Sequence, residues 1–204
     1  MKVWRRLLAA GALAAMLFTL PGCGGGDVPT SSSGSSGAAS SAAVPEPEPV
    51  VVEPAYYHPL TGVGMDEDLS RLRPVAVMIN DLKAAQPQLG VSQADIIYEM
   101  PAEGGITRMV ALFQSLDGVG NLGSIRSTRA YYLELALGHD ALLVHAGGSP
   151  EAYKDIPAWG VDNMDGVNGG SDAKIFWRDA ERRKTKGYEH SLLTSGEKIQ
   201  EYLD

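Results

Sequence analysis

Apolar and polar residues change period several times along the chain, and those changes predict its elements. Pro74–Asn80, PVAVMIN, is a short apolar run rich in β-branched residues, which predicts a central strand. SQADIIYEM predicts a strand over Asp95–Met100, entered by a helical turn capped at Ser92. ITRMVALFQS alternates imperfectly but has the length and branching of a strand. Only about five residues separate it from the strand before, so the two are expected to pair antiparallel.

The period changes again over Arg126–Asp140. Tyr131, Tyr132, Leu133, Leu135, Ala136 and Leu137 leave only Glu134 as a polar interruption, predicting a helix buried on most sides. Ser127 is its expected N-cap and Gly138 its stop. ALLVH then predicts a buried strand ending on His145. Ser149, Pro150 and Glu151 are a cap, a first-turn proline and a first-turn acid, predicting a short helix ended near Ile156 by Pro157. Residues 160–173 read as a long polar loop and Ile175–Arg178 as a short strand or ordered apolar insertion. The basic cluster Arg182, Arg183, Lys184 and Lys186 reads as a solvated face, and TSGEKIQEYLD as a helix capped by Ser195. The elements together predict one α/β domain over 56–204, with a mixed sheet and packed helices.

The first 22 residues lie outside that pattern. Lys2, Arg5 and Arg6 precede an apolar run from Leu7 to Leu20, the signature of a signal peptide and too short for a comfortable membrane span. LPGC, ending on Cys23, resembles the lipobox of bacterial lipoproteins. That resemblance implies cleavage before Cys23 and acylation of its thiol and new amino group, so the bilayer is an expected partner. Residues 23–55 form the lipidated cysteine and a disordered tether, Gly/Ser-rich and then Pro/Glu-rich. Some 20 flexible residues reach roughly 25 Å on average. Cys23 is the only cysteine, so the folded part has no disulfide. Removing residues 1–22 takes three of the 17 basic and none of the 25 acidic residues, moving the formal charge from -8 to -11. An acidic, tethered domain of this kind does not suit nucleic acid.

Candidate chemistry gathers at a few turns. Arg126 and Arg129 stand at a helix entrance, where the dipole opposes positive charge at a cost of about 0.3–1 kcal/mol in an exposed first turn. They are either paired with Glu99, Glu103 or Glu134, or gathered around an anion. In EGGITR, Gly104 and Gly105 permit a positive-φ turn or close ligand approach, and Glu103 with Arg108 brackets it as a turn-closing salt bridge or part of a site. The Gly-Gly pair lacks the spacing of a nucleotide loop. His145 at a strand exit is either an acid or base beside the Ser149 amides, or a histidine satisfied by a backbone carbonyl. Glu99 and Glu103 would suit glycoside cleavage only at the right separation, and Ser149 lacks nucleophile-elbow spacing. Asn163, Asp165, Gly166 and Asp172 match parts of a calcium loop, but Val161 stands at the first ligand position. His58, His145 and His190 are too far apart in sequence to suggest zinc, so no metal and no cofactor are expected.

HPLTG, PVAVMIN, ADIIYEM, EGGITR, GSIRSTR, HAGGS and EHSLLTS, in this order, resemble the amino-terminal domain of the YerB-type lipoproteins, a domain of unknown function. The resemblance covers nearly all of 56–204. It implies a secreted, lipid-anchored protein of a Gram-positive cell envelope with a mixed α/β fold, and assigns no catalytic activity. It also implies a second domain after this one, so a chain stopping at Asp204 is expected to be a short or truncated member. At EHS the pattern departs, because many relatives have Asn where Ser191 stands. The leading expectation is a membrane-anchored protein on the extracytoplasmic face that binds an envelope protein or anionic wall component. The expected ligand-binding residues are Arg126, Arg129, His145, Arg108, Glu103, Glu99, His190 and Ser149. A hydrolase of a wall glycan or phosphoester, using the same cleft, is the alternative.

Overall fold

Two apolar runs without a polar interruption have to be buried on both faces, and in this fold they lie side by side. The computed structural model describes residues 52–170 and 172–203. The leader, Cys23 and the tether up to residue 51 lie outside the described residues. In chain order the elements are β1 (Tyr56–Tyr57), β2 (Gly64–Met65), β3 (Val75–Asn80), β4 (Ile96–Pro101), β5 (Thr107–Phe113) and β6 (Asn121–Gly123). They continue with α1 (Ala130–Gly138), β7 (Leu142–His145), α2 (Pro150–Trp159), β8 (Asn163–Asp165), β9 (Trp177–Arg178), α3 (Ala180–Lys186), β10 (Leu192–Ser195) and α4 (Gly196–Leu203).

The main sheet has the order β4-β5-β3-β7-β8 and is mixed. β4 and β5 pair antiparallel, as do β5 and β3, while β3, β7 and β8 run parallel. Each parallel step is a crossover through a helix, α1 lying before β7 and α2 before β8. β3 is buried at every position and its side chains alternate between two cores. Val75, Val77 and Ile79 join Ala111, Phe113, Leu122, Leu192 and Ile199 on the face covered by β6, β10 and α4. Ala76 and Met78 join Val110, Leu112, Tyr132, Leu133, Ala136 and Ala152 on the face covered by α1 and α2. The small sheet β6-β10-β9 is antiparallel throughout.

Several sequence expectations change here. α1 begins at Ala130, and Ser127 does not cap it; Arg129 is the N-cap and its side chain makes no capping bond. The reason is tertiary. Residues 125–128 are drawn out between the ends of β3 and β7, with Arg126 N–H donating to Met78 O (3.0 Å), Ala146 N–H to Arg126 O (3.0 Å) and Thr128 N–H to Gly147 O (2.9 Å). α1 is also one-sided, since Tyr131 and Leu137 are 39% and 43% exposed. α2 does start as expected, with Ser149 Oγ accepting from Ala152 N–H (3.1 Å). It runs past Pro157 to Trp159 and is ended instead by Gly160 at φ 67°, where the left-handed backbone suits glycine. The loop expected over 160–173 contains β8, whose Met164 is buried and whose ladder is carried by backbone groups. Arg182, expected on a solvated face, is buried and donates to the carbonyls of His190 (3.1 Å), Pro87 (3.0 Å) and Ala85.

Candidate ligand-binding cleft at the strand ends

The three parallel strands finish together on Asn80, His145 and Asp165, so their carboxyl ends present polar side chains along one edge. In sheets of this kind that edge is where ligands collect. The extended segment 125–128 crosses it and carries Arg126 and Ser127. A cleft of about 200 Å³ opens there, lined by Arg126, Ser127, Arg178, Tyr188 and Glu189 among others.

Arg126 is held from both sides of its backbone, as described above, so its guanidinium has a fixed origin. Nη1 donates to Glu189 O (3.1 Å) and Nη2 to Glu189 Oε2 (3.2 Å). Nε is buried and has no partner; with Ser124 Oγ it is one of two such side-chain atoms among the described residues. The Ser127 hydroxyl makes no hydrogen bond among the described residues. Arg178 donates to Tyr188 O (2.7 Å) and lies 3.9 Å from the centre of the Tyr188 ring, with no carboxylate partner among the described residues.

His190 lies next to the cleft residue Glu189, outside the lining itself. Leu82 N–H donates to Asn80 Oδ1 (3.0 Å), which turns Asn80 Nδ2 toward His190 Nδ1 (3.0 Å). A donor at that position requires Nδ1 to accept, so the neutral ring carries its proton on Nε2, 3.5 Å from Glu189 Oε1. The Glu189 carboxylate therefore lies between Arg126 and His190 while remaining 63% exposed.

Arg129 and Arg108 serve different ends. Arg129 engages Glu103 as a fork, Nε to Oε1 and Nη2 to Oε2 (2.8 Å), and Nη1 donates to Thr128 O (2.6 Å). That hydrogen-bonded pair holds the Glu103 carboxyl down to about 2 and raises the Arg129 guanidinium. The helix-entrance conflict is thus resolved by an acid 26 residues away. The expected turn-closing bridge from Glu103 to Arg108 is replaced by this pair, because Arg108 points inward, is 5% exposed and donates to Ser127 O (2.7 Å). Burial, followed by the charges of Arg129 and Arg126, lowers the Arg108 guanidinium. Gly104 and Gly105 adopt φ 73° and 74° with open space around them, so they serve a turn and not a close approach.

His145 is wholly buried, its Nδ1 facing Gly147 O (2.9 Å) and its Nε2 facing Asn163 Oδ1 (3.0 Å). Beside it, Asp165 accepts from Gly147 N–H (2.8 Å), Val167 N–H (2.9 Å) and the Tyr153 hydroxyl (2.7 Å). Burial opposes ionisation of Asp165, but those donors outweigh it and hold its carboxyl below the usual value. Burial and then Asp165 push the Tyr153 phenol up to about 12. The carboxylate that suggested calcium is thus occupied in fixing the Gly147 turn. Gly147 in turn holds Thr128, so this shell positions the arginine segment from below.

Of the sequence-derived candidates, Arg126 lines the cleft and His190 shares its Glu189 partner, while Arg108, Arg129 and Glu103 cluster beside it. Ser149 caps α2. Glu99 pairs with Met109 in register, which puts it on the face opposite Arg108, exposed and unbonded among the described residues. Sequence reasoning missed Glu189, Arg178, Tyr188 and the roles of Asn80 and Tyr153. Glu189 adjoins His190, and that adjacency was the only available signal.

Residues 60–204 match the family described as "Protein of unknown function (DUF3048) N-terminal domain". The chain belongs to this family. It is 42% identical over 120 residues to "Putative lipoprotein YerB" of Bacillus subtilis (strain 168), across 59% of this chain and 35% of that protein. The crystal structure of YerB from Bacillus subtilis is similar with a TM-score of 0.63 and 36% identity, covering 72% of this chain and 48% of that one. The chain therefore spans well under two thirds of either relative. The YerB-type resemblance carried by the motifs is borne out, and its motifs have structural work in this DUF3048 domain. In HPLTG, His58 Nδ1 accepts from Leu60 and Thr61 N–H (both 3.3 Å) while Nε2 lies 3.1 Å from Asp95.

Proposed function

We propose that the chain is a cell-envelope lipoprotein, exported by residues 1–22 and held on the extracytoplasmic face of the membrane by acylated Cys23, whose domain binds an anionic wall component in the strand-end cleft. The observation that carries this reading is Arg126, fixed by its backbone, lining the cleft and holding one enclosed Nε that nothing satisfies. A buried charged donor left unpaired is costly unless a ligand completes it. Arg178 and the Ser127 hydroxyl add capacity in the same cleft. Arg129 and His145 then belong to the support of the site, because their polar groups are committed within the protein, and so does the buried Arg108, which holds Ser127 O.

The hydrolase alternative finds less support. With its carboxyl at about 2, Glu103 is ionised at neutral pH and unsuited to donate a proton, and Glu99 is absent from the cleft lining.

Retention of the full chain, kept in detergent micelles, on protease-treated cell-wall sacculi tests the reading. Arg126→Ala is expected to weaken retention roughly tenfold or more, the scale of a lost charge-assisted bond. Equal retention of Arg126→Ala and the unaltered chain would overturn the anion site. Binding that disappears when the wall is treated with protease would identify a protein partner instead.

A further inference from the structure

Arg129 and Arg126 present the same edge of the guanidinium to a glutamate, with different results. On Arg129 both Nε and Nη2 are taken by the two oxygens of Glu103, the side-on fork that a planar carboxylate matches. On Arg126 the edge is half used, Nη2 reaching Glu189 Oε2 at 3.2 Å while Nε stays unpaired. Both approaches of the Glu189 carboxylate, 3.2 Å to Arg126 and 3.5 Å to His190, exceed the 2.7–2.9 Å of a tight charge-assisted bond. The same residue's backbone carbonyl is already bound to Arg126 Nη1, and this second attachment keeps the side chain from squaring up to the fork. The donors are largely enclosed, at 19% and 7% exposure, whereas their acceptor stands 63% exposed on the solvent side.

We propose that the cleft takes a carboxylate-bearing sugar residue, whose carboxylate displaces that of Glu189 from Arg126 and His190 and whose ring lies against Tyr188. The proposal rests on the anion-binding reading above and names its ligand class. A carboxylate free of the chain can turn to fill Nε and Nη2 together, completing on Arg126 the fork that Glu103 makes on Arg129. The ring follows from the rest of the lining. Tyr188 is 59% exposed beside the cleft, with the guanidinium groups of Arg178 and Arg183 3.9 Å and 5.3 Å from its ring centre, and its exposed ring surface can meet the apolar C–H face of a pyranose. Ile125, Ala146, Val167 and Leu192 supply further apolar lining between the polar groups. At about 200 Å³ the cleft is smaller than the roughly 300–1,000 Å³ that encloses a whole ligand, so it fits one residue of a longer polymer. An arginine fork also takes two oxygens of a phosphate, so it is the aromatic and apolar lining that favours a sugar acid.

Titration of the full chain with a trigalacturonate, its methyl ester and a polyglycerol phosphate tests this. The acid is expected to bind and the ester, which keeps the rings but loses the charge, to bind at least tenfold more weakly. Glu189→Gln should tighten the acid about two- to fivefold, because an exposed competing ion pair has been removed. Tyr188→Ala should weaken it while the thermal midpoints of both variants stay near that of the parent, both side chains being mostly exposed. Equal affinity for acid and ester, or no gain in Glu189→Gln, would overturn the proposal. If polyglycerol phosphate binds in an Arg126-dependent way and the uronate does not, the sugar-acid class falls while the anion-binding reading stands. If neither probe binds and wall retention is indifferent to Arg126→Ala, both fall.

Discussion

The Arg129–Glu103 fork is open to solvent at its acidic end, where Glu103 is 62% exposed, and this limits what it contributes. The Glu103 carboxyl is held at about 2 against an ordinary 4.5, so its contribution is complete above about pH 4.5 and lost as pH falls through 2. Screening keeps it below roughly 1 kcal/mol, a shift of some 2–4 °C in a domain of this size. Melting curves of the parent and Glu103→Gln should therefore differ by a few degrees at pH 6 and converge toward pH 2; a constant gap would show that the pair does not titrate as described. At this scale the sequence was informative about the bases and poor about the acids. Arg126 and Arg129 stood out because a helix entrance disfavours positive charge, and that argument required partners. It offered Glu99, Glu103 and Glu134 for both arginines without choosing among them, and assigned Glu103 to Arg108 through proximity in the turn; Arg129 takes Glu103. Glu189, 63 residues from Arg126, had no local pattern to mark it.

Among the elements, β3, β7 and the start of α2 were legible because a single local rule governs each: uninterrupted apolar runs in the first two, a side-chain cap followed by proline in the third. β8 was not, since only Met164 among its three residues is apolar and the strand exists through backbone pairing to β7. The Ser127 cap failed for a related reason. Its segment satisfies backbone groups of β3 and β7 before any helix begins, and nothing within GSIRSTR announces partners so far away in sequence. α3 hides a similar long-range tie. Its sequence looks solvated, yet Arg182 anchors the helix to the 85–87 loop and to His190 O, next to the cleft residue Glu189. Arg182→Ala leaves those buried carbonyls unpaired and is expected to cost on the order of 3 kcal/mol. In urea the midpoint should fall with little change in slope. Lysine should not restore it, because a single ammonium cannot span acceptors that the guanidinium reaches from three nitrogens. Full rescue by Arg182→Lys would argue that only the charge matters.

For the molecule as a whole, the mixed sheet between helices on one face and the small sheet on the other agrees with the class expected from the apolar periods. The cleft was legible only as a place, the carboxyl ends of parallel strands, and not as a set of residues. Its lining is assembled from positions 125–127, 146, 167, 178, 188, 189 and 192, which no sequence pattern groups. The chain's acidity adds a further constraint. At a formal charge of -8, or -11 once residues 1–22 are removed, the field of the whole molecule repels an anionic polymer, so attraction has to come from the few cations at the cleft.

The crossing of residues 125–128 between β3 and β7 bears on when that attraction is available. A binding segment on an ordinary loop opens and closes by itself, whereas this one shares its hydrogen bonds with the centre of the sheet. The amides of Arg126 and Thr128 should accordingly exchange their protons for deuterium as slowly as those of Val77 and Val144, in a single event that exposes strand and site together. Rapid exchange at 126 and 128 beside slow exchange in β3 would show the segment to be separable from the sheet. With the two coupled, a variant that loosens the side chains packed against β3 loses the ligand-ready arginine in the same proportion of molecules.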